Sequence, residues 1–183
     1  MNTTYFFVGI AKVTFGLIVA VLGIFLATRI FGRAIGIKNL DQELAKGNAA
    51  AGALVASAIV ALGILAQHAI VATFSAMDLA YRDRAFEPQM VAAFVIYGLA
   101  HVFTAYLVGL VVLLAGKIVF ARLTRDVDEI EEIKKGNVAP ALVLGGVVIV
   151  LALTTAPGLE MALTGLLPLP TLGRDELVLP SGG

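Results

Sequence analysis

The sequence contains no cysteine. That excludes a disulfide, a thiolate nucleophile and a Cys-ligated metal, and it leaves the redox compartment open. Charge is scarce. Asp, Glu, Lys and Arg make up 14% of the 183 residues, where a soluble domain carries roughly 25%. Neither sign is in surplus, since thirteen basic and thirteen acidic side chains cancel. No basic face therefore speaks for nucleic acid. Residues 1–11 hold no Lys or Arg. The basic start of a secretory signal is missing, and no small-residue cleavage site follows the first apolar run, so a retained helix is expected. There is no P-loop, no His-Glu-x-x-His, no serine nucleophile elbow and no dinucleotide fingerprint. A non-enzymatic protein without cofactor or metal is the reading that these absences favour.

What is present is apolar. Hydrophobic residues make up 60% of the chain, and mean hydropathy is +0.97. Several runs lack charge for longer than the ~18 residues that mark a membrane span. Four spans are predicted. The first runs from Tyr5 to Phe31, with Lys12 as its only interior charge before Arg29. Its glycines Gly9, Gly16 and Gly23 recur every seven residues, a stripe expected to face protein. The second opens after Asn48, reaches His68 and extends towards Met77. The third runs from Met90 to Phe120. The fourth opens at Asn137, carries Pro140 in its first turn and is expected to be interrupted at Pro157-Gly158. Beyond the break, the apolar remainder to Leu169 is read as a kinked continuation or an interfacial segment.

The chain reads as two copies of one unit. A shift of 89 positions lays Lys46-Gly47-Asn48 on Lys135-Gly136-Asn137, and with them Phe31 on Phe120, Arg33 on Arg122, Glu43 on Glu132 and Leu62 on Leu151. Residues 1–89 form the first two-helix unit, 90–170 the second, and 171–183 a flexible tail. Each triplet closes a polar segment and opens an apolar run. Gly47 and Gly136 are expected to end the preceding helix with positive φ, and Asn48 and Asn137 to cap the next.

Orientation follows from the basic residues. Arg29, Arg33, Lys38 and Lys46 lie in loop one, and Lys117, Arg122, Arg125, Lys134 and Lys135 flank loop three. The middle loop, residues 78–89, has only Arg82 and Arg84, and the tail only Arg174. The positive-inside rule places loops one and three in the cytoplasm and both termini outside. The expected fold is an all-α membrane protein, an antiparallel bundle of four transmembrane helices built as two parallel two-helix repeats.

Two groups of residues are candidates for function. In loop three, Val127, Ile130 and Ile133 recur at helical spacing among Asp128, Glu129, Glu131 and Glu132. This segment packs its stripe on the membrane face and solvates its acids, or it docks a cytoplasmic partner. The second group is Lys12, Gln67, His68, His101 and Glu160. Lys12 and His101 each precede an arginine, Arg33 and Arg122, by 21 residues, roughly 31 Å of helix. His68 and Glu160 lie similarly far beyond Asn48 and Asn137, so all should reach the outer boundary. Snorkelling to the headgroups explains them. The alternative is an outer vestibule where the histidines titrate near neutral pH. Two His and one Glu suit a metal in type, although their spacing gives no specific support.

The paired Gly-Asn openings after acid-and-Ile segments, above all Glu129 to Leu142, resemble the YjfL-like bacterial inner-membrane proteins, known as domain of unknown function 350. The resemblance covers residues 5–167. It implies a four-span inner-membrane protein whose relatives occur with envelope-stress and polyamine-linked partners, and it implies no established reaction. Expected partners are the bilayer, a homo-oligomer or larger membrane complex, and a cytoplasmic protein. A scaffold fits best, because the span centres hold little beyond Ala, Val, Leu and Gly. An oligomeric channel or small transporter is the alternative.

Overall fold

The computed structural model describes residues 3–34, 36–37, 39–81, 88–124 and 128–166. Lys38, Arg82, Arg84, Arg125, Val127 and the tail, all used above, lie outside them. Every described element is helical. Helix α1, Thr3–Leu26, continues through a π-helical turn, Ala27–Phe31, into the short α2, Gly32–Ala34. Then come α3, Leu40–Ala45; α4, Ala49–Tyr81; α5, Pro88–Leu123; α6, Glu129–Lys134; and α7, Val138–Gly165. Four of them contain stretches long and apolar enough to cross a bilayer: Val8–Ile30, Ala49–Leu79, Pro88–Leu123 and Val138–Gly165. This is an integral membrane protein by length and composition.

Helix α4 lies at the centre, packed against α1, α5 and α7. Its core face is made of small and medium residues, among them Leu54, Ala58, Ala61 and Leu65. Small side chains let backbones approach, and lipid-immersed helices depend on that for dispersion contact. Glycines on the partners take this furthest. A Cβ at Gly109 of α5 would strike Leu62, and one at Gly145 of α7 would lie 2.8 Å from Ser57 Cβ. Hydroxyls inside the spans are satisfied locally. Ser57, Thr73, Thr104 and Thr164 each donate to the carbonyl four residues back, so none leaves a polar group bare to hydrocarbon. Tyr106 donates instead across helices, to Val19 O at 2.5 Å.

Two expectations change. First, α7 is not interrupted at Pro157-Gly158 but runs unbroken to Gly165. Proline deletes one helical hydrogen bond. Ala156, Leu159 and Leu163 are buried on either side of that gap, and their packing continues the helix through it, as neighbouring helices allow in a membrane. Second, the glycine stripe of α1 is a packing surface at one end only. Gly23 is buried, with a Cβ there 2.7 Å from Tyr106 Oη; Gly16 touches Ile70 at 3.9 Å; Gly9 has nothing within 4 Å. A straight helix turns such a stripe by about 20° per heptad, which carries Gly9 off the contact face.

Candidate functional site

The two Gly-Asn turns come first, because their chemistry is local. In the first, α3 ends at Gly47 with φ 76°. Gly47 N–H donates to Leu44 O at 2.9 Å and Asn48 N–H to Glu43 O at 2.9 Å, a Schellman-type closure. Asn48 Oδ1 then accepts from Ala51 N at 3.0 Å, capping α4. In the second, Gly136 has φ 91°. Gly136 N–H donates to Ile133 O and Asn137 N–H to Glu132 O, each at 3.0 Å. Asn137 Oδ1 accepts from Ala139 N at 3.2 Å.

One carboxylate holds each turn from behind. Glu43 accepts from Asn48 Nδ2 at 2.8 Å and Lys46 Nζ at 3.1 Å. Glu132 accepts from Lys135 Nζ at 3.0 Å and Asn137 Nδ2 at 3.2 Å. These donors favour the ionised form. The amide of Asn48, then Lys46, holds Glu43 below the usual carboxylate range. Lys135, then Asn137, does the same for Glu132. Glu132 in turn raises the Lys135 ammonium.

The turns differ in what else they touch. Asn48 is buried. Its amide also donates to Ile133 O at 3.0 Å and Lys134 O at 3.2 Å, at the end of α6 and 85 and 86 residues away. Asn137 is exposed, and among the described residues its side chain bonds only within its own turn.

Helix α6 is capped by Asp128, whose Oδ1 accepts from Glu131 N at 3.1 Å. Its apolar stripe turns inward. Ile133 is fully buried, and Ile130 packs on Gly36, where φ is +107° and a Cβ would lie 2.7 Å from Ile130 Cγ2. Glu129 is buried as well, its Oε1 without a hydrogen-bond partner among the described residues. The expected docking segment is thereby corrected. Ile133 and Glu129 are buried and Ile130 packs on Gly36 of loop one, whereas Asp128 and Glu131 are left exposed. Beside α6 a cleft of about 680 Å³ opens between α5 and α7, lined by Phe120, Glu131, Glu132, Asn137, Pro140 and Val143 among others.

Lys12, Gln67, His68, His101 and Glu160 do not form one cluster. His68 Nδ1 lies 2.5 Å from Glu160 Oε2, joining α4 to α7 past the proline. His101 is elsewhere and fully buried. Its Nδ1 lies 2.9 Å from Thr73 Oγ1, and among the described residues its Nε2 has no partner at full hydrogen-bond geometry. Lys12 Nζ sits 5.7 Å over the Phe74 ring, a cation–π contact. Gln67 faces outward. The five residues thus do not share a chamber, and among the described residues no three His, Asp or Glu gather as metal ligands. Residue counting fixes depth along a helix and says nothing of the side it faces. Also unforeseen was a triad of edge-to-face rings, Phe15, Phe74 and Phe94, with centroids 5.2–6.1 Å apart. It ties α1, α4 and α5 together. Thr73 and Tyr106, polar residues inside apolar runs, were the available signals for the buried contacts.

A family model described as Domain of Unknown Function (DUF350) matches residues 5–159. The chain belongs to that family. No curated protein and no solved structure matches it. The DUF350 match takes in both Gly-Asn turns and α6, and stops one residue short of Glu160.

Proposed function

We propose that this DUF350 protein is a non-enzymatic scaffold of the bacterial inner membrane. It spans the bilayer four times with both termini outside, forms homo-oligomers, and recruits a cytoplasmic protein through the acids of α6. The observation that carries this reading is the way α6 is mounted. Ile133 is buried, Asn48 grips the carboxyl end, and Asp128 and Glu131 are left facing solvent. A rigid, acidic, six-residue helix held at the membrane surface is a recognition element for a basic partner. Orientation rests on the basic residues of loops one and three, and the link to envelope stress on the resemblance alone.

A channel or small transporter would use His68 and Glu160. With His101 sealed inside and Lys12 on Phe74, that pair is too small a polar surface to line a path.

The scaffold is tested by capture from membranes in mild detergent, comparing the natural chain with an Asp128→Asn, Glu131→Gln double variant. Asparagine caps helices as well as aspartate, so the fold is kept while the charge is lost. A cytoplasmic protein recovered in fixed proportion with the natural chain, and lost with the variant at unchanged melting temperature, is expected. Recovery of the same proteins by both would overturn the recruiting role.

A further inference from the structure

We propose that copies of this chain associate head to tail in the membrane. In that contact α7 of one copy receives α3, α1 and α4 of the next, as α4 receives α6, α5 and α7 within the chain. The proposal deepens the oligomer part of the scaffold reading, on which it rests, by naming the second copy's surface.

The elements of the two halves are evenly spaced. Helices α3 and α6 start at Leu40 and Glu129, and α4 and α7 at Ala49 and Val138, 89 residues apart in each case. Yet corresponding positions are not used alike. On α4, Leu54 and Ala72 are 2% and 1% exposed; their counterparts on α7, Val143 and Met161, are 55% and 79% exposed. The reverse holds too. Helix α7 buries Gly145, Ala152 and Ala156, whereas Ala56, Gly63 and Gln67 of α4 are bare. Two units closed on a twofold axis present the same face to each other and bury both members of every pair. Here unlike faces meet, the head-to-tail kind of contact. It consumes one face of each half and leaves the complementary pair free. Helix α1 repeats the pattern: Val13 is 72% exposed and its counterpart on α5, Val102, 5%.

Lipid alone accounts for bare apolar side chains in a span. It does not account for the cytoplasmic end. There the used contact is polar, Asn48 Nδ2 on the carbonyls of Ile133 and Lys134. Its free counterpart is the exposed Asn137 amide on one side and the end of α3, Leu44 and Ala45, on the other. Ile133 is fully buried while Leu44 is 50% exposed. The cleft beside α6 is the matching vacancy. Its walls include Ala139, Pro140 and Val143, and the counterparts Ala50, Ala51 and Leu54 are covered. A second α3 fits that seat as α6 fits the first. Both halves cross the bilayer in the same sense, so the neighbour needs no inversion.

The test uses the absence of cysteine. Ser57 meets Gly145 within the chain. The corresponding contact between copies joins Ala56 to Gly146, where nothing lies within 4 Å of an added Cβ. Ala56→Cys and Gly146→Cys chains are made separately, co-expressed and oxidised in native membranes with copper phenanthroline. The expected result is a mixed disulfide dimer as the dominant product, with little from either variant alone. A chain carrying both cysteines should give a ladder beyond the dimer. Gly146→Leu should keep its melting temperature and lose assembly. Homodimers from one variant alone, or an oligomer that persists in Gly146→Leu without the mixed disulfide, would overturn this interface and leave a scaffold that assembles by another face. A monomer in native membranes would overturn both the interface and the oligomer.

Discussion

Asn48→Ala is expected to destabilise the protein by about 2–4 kcal/mol, and Asn137→Ala by about 1 kcal/mol. Loss of an N-cap alone costs about 1 kcal/mol, and both substitutions remove one, the bond to Ala51 or to Ala139. Only Asn48 is also buried and bonded to the end of α6. Removing a buried donor leaves its partners dry, at about 1–3 kcal/mol more. Ile133 O keeps Gly136 N–H as a partner, which places the loss short of the upper limit. Equilibrium unfolding in detergent measures the difference. Equal losses would mean that the amide of Asn48 does not hold α6.

Gly145→Leu should be the most damaging single change in the spans. Helices α4 and α7 are in close contact there, and a Cβ would lie 2.8 Å from Ser57 Cβ. Neither helix can retreat alone, because Leu144 and Val148 are buried on either side. Overpacking a tight core costs about 1–3 kcal/mol and sometimes more, so loss of the folded, monodisperse species in size exclusion is expected. Gly9→Leu is the control. With nothing within 4 Å of its Cβ, it should change stability by no more than about 0.5 kcal/mol. Similar behaviour of the two variants would contradict the packing described for α4 and α7.

The four long helices were legible because each run is apolar over more than a bilayer's width. The turns were legible because a glycine closing one helix and an asparagine opening the next act within a few residues of chain. What depends on contact between distant residues was not. Nothing around Asn48 announces a bond to Ile133. Nor does anything mark Gly36 as the seat of Ile130, since its counterpart by the 89-residue shift is Arg125. Pro157 obeys a local rule that packing overrides. The ionisable residues of the outer group were placed at one level by counting, yet burial of His101 depends on which way each helix faces. The spans are apolar nearly all round and give no moment from which to read that.

Recruitment of a cytoplasmic protein requires α6 to lie on the cytoplasmic side of the membrane. Cysteines placed singly at Gln42, Gln89 and Glu131 can be probed in intact cells with a membrane-impermeant thiol reagent, and again after lysis. Gln42 and Glu131 lie outside the spans, and Gln89 is exposed in the first turn of α5. The scaffold predicts that Gln89→Cys labels in intact cells, and that Gln42→Cys and Glu131→Cys label only once the cells are opened. Labelling of Glu131→Cys in intact cells would put the acids outside, reverse the topology and remove any cytoplasmic partner from the function.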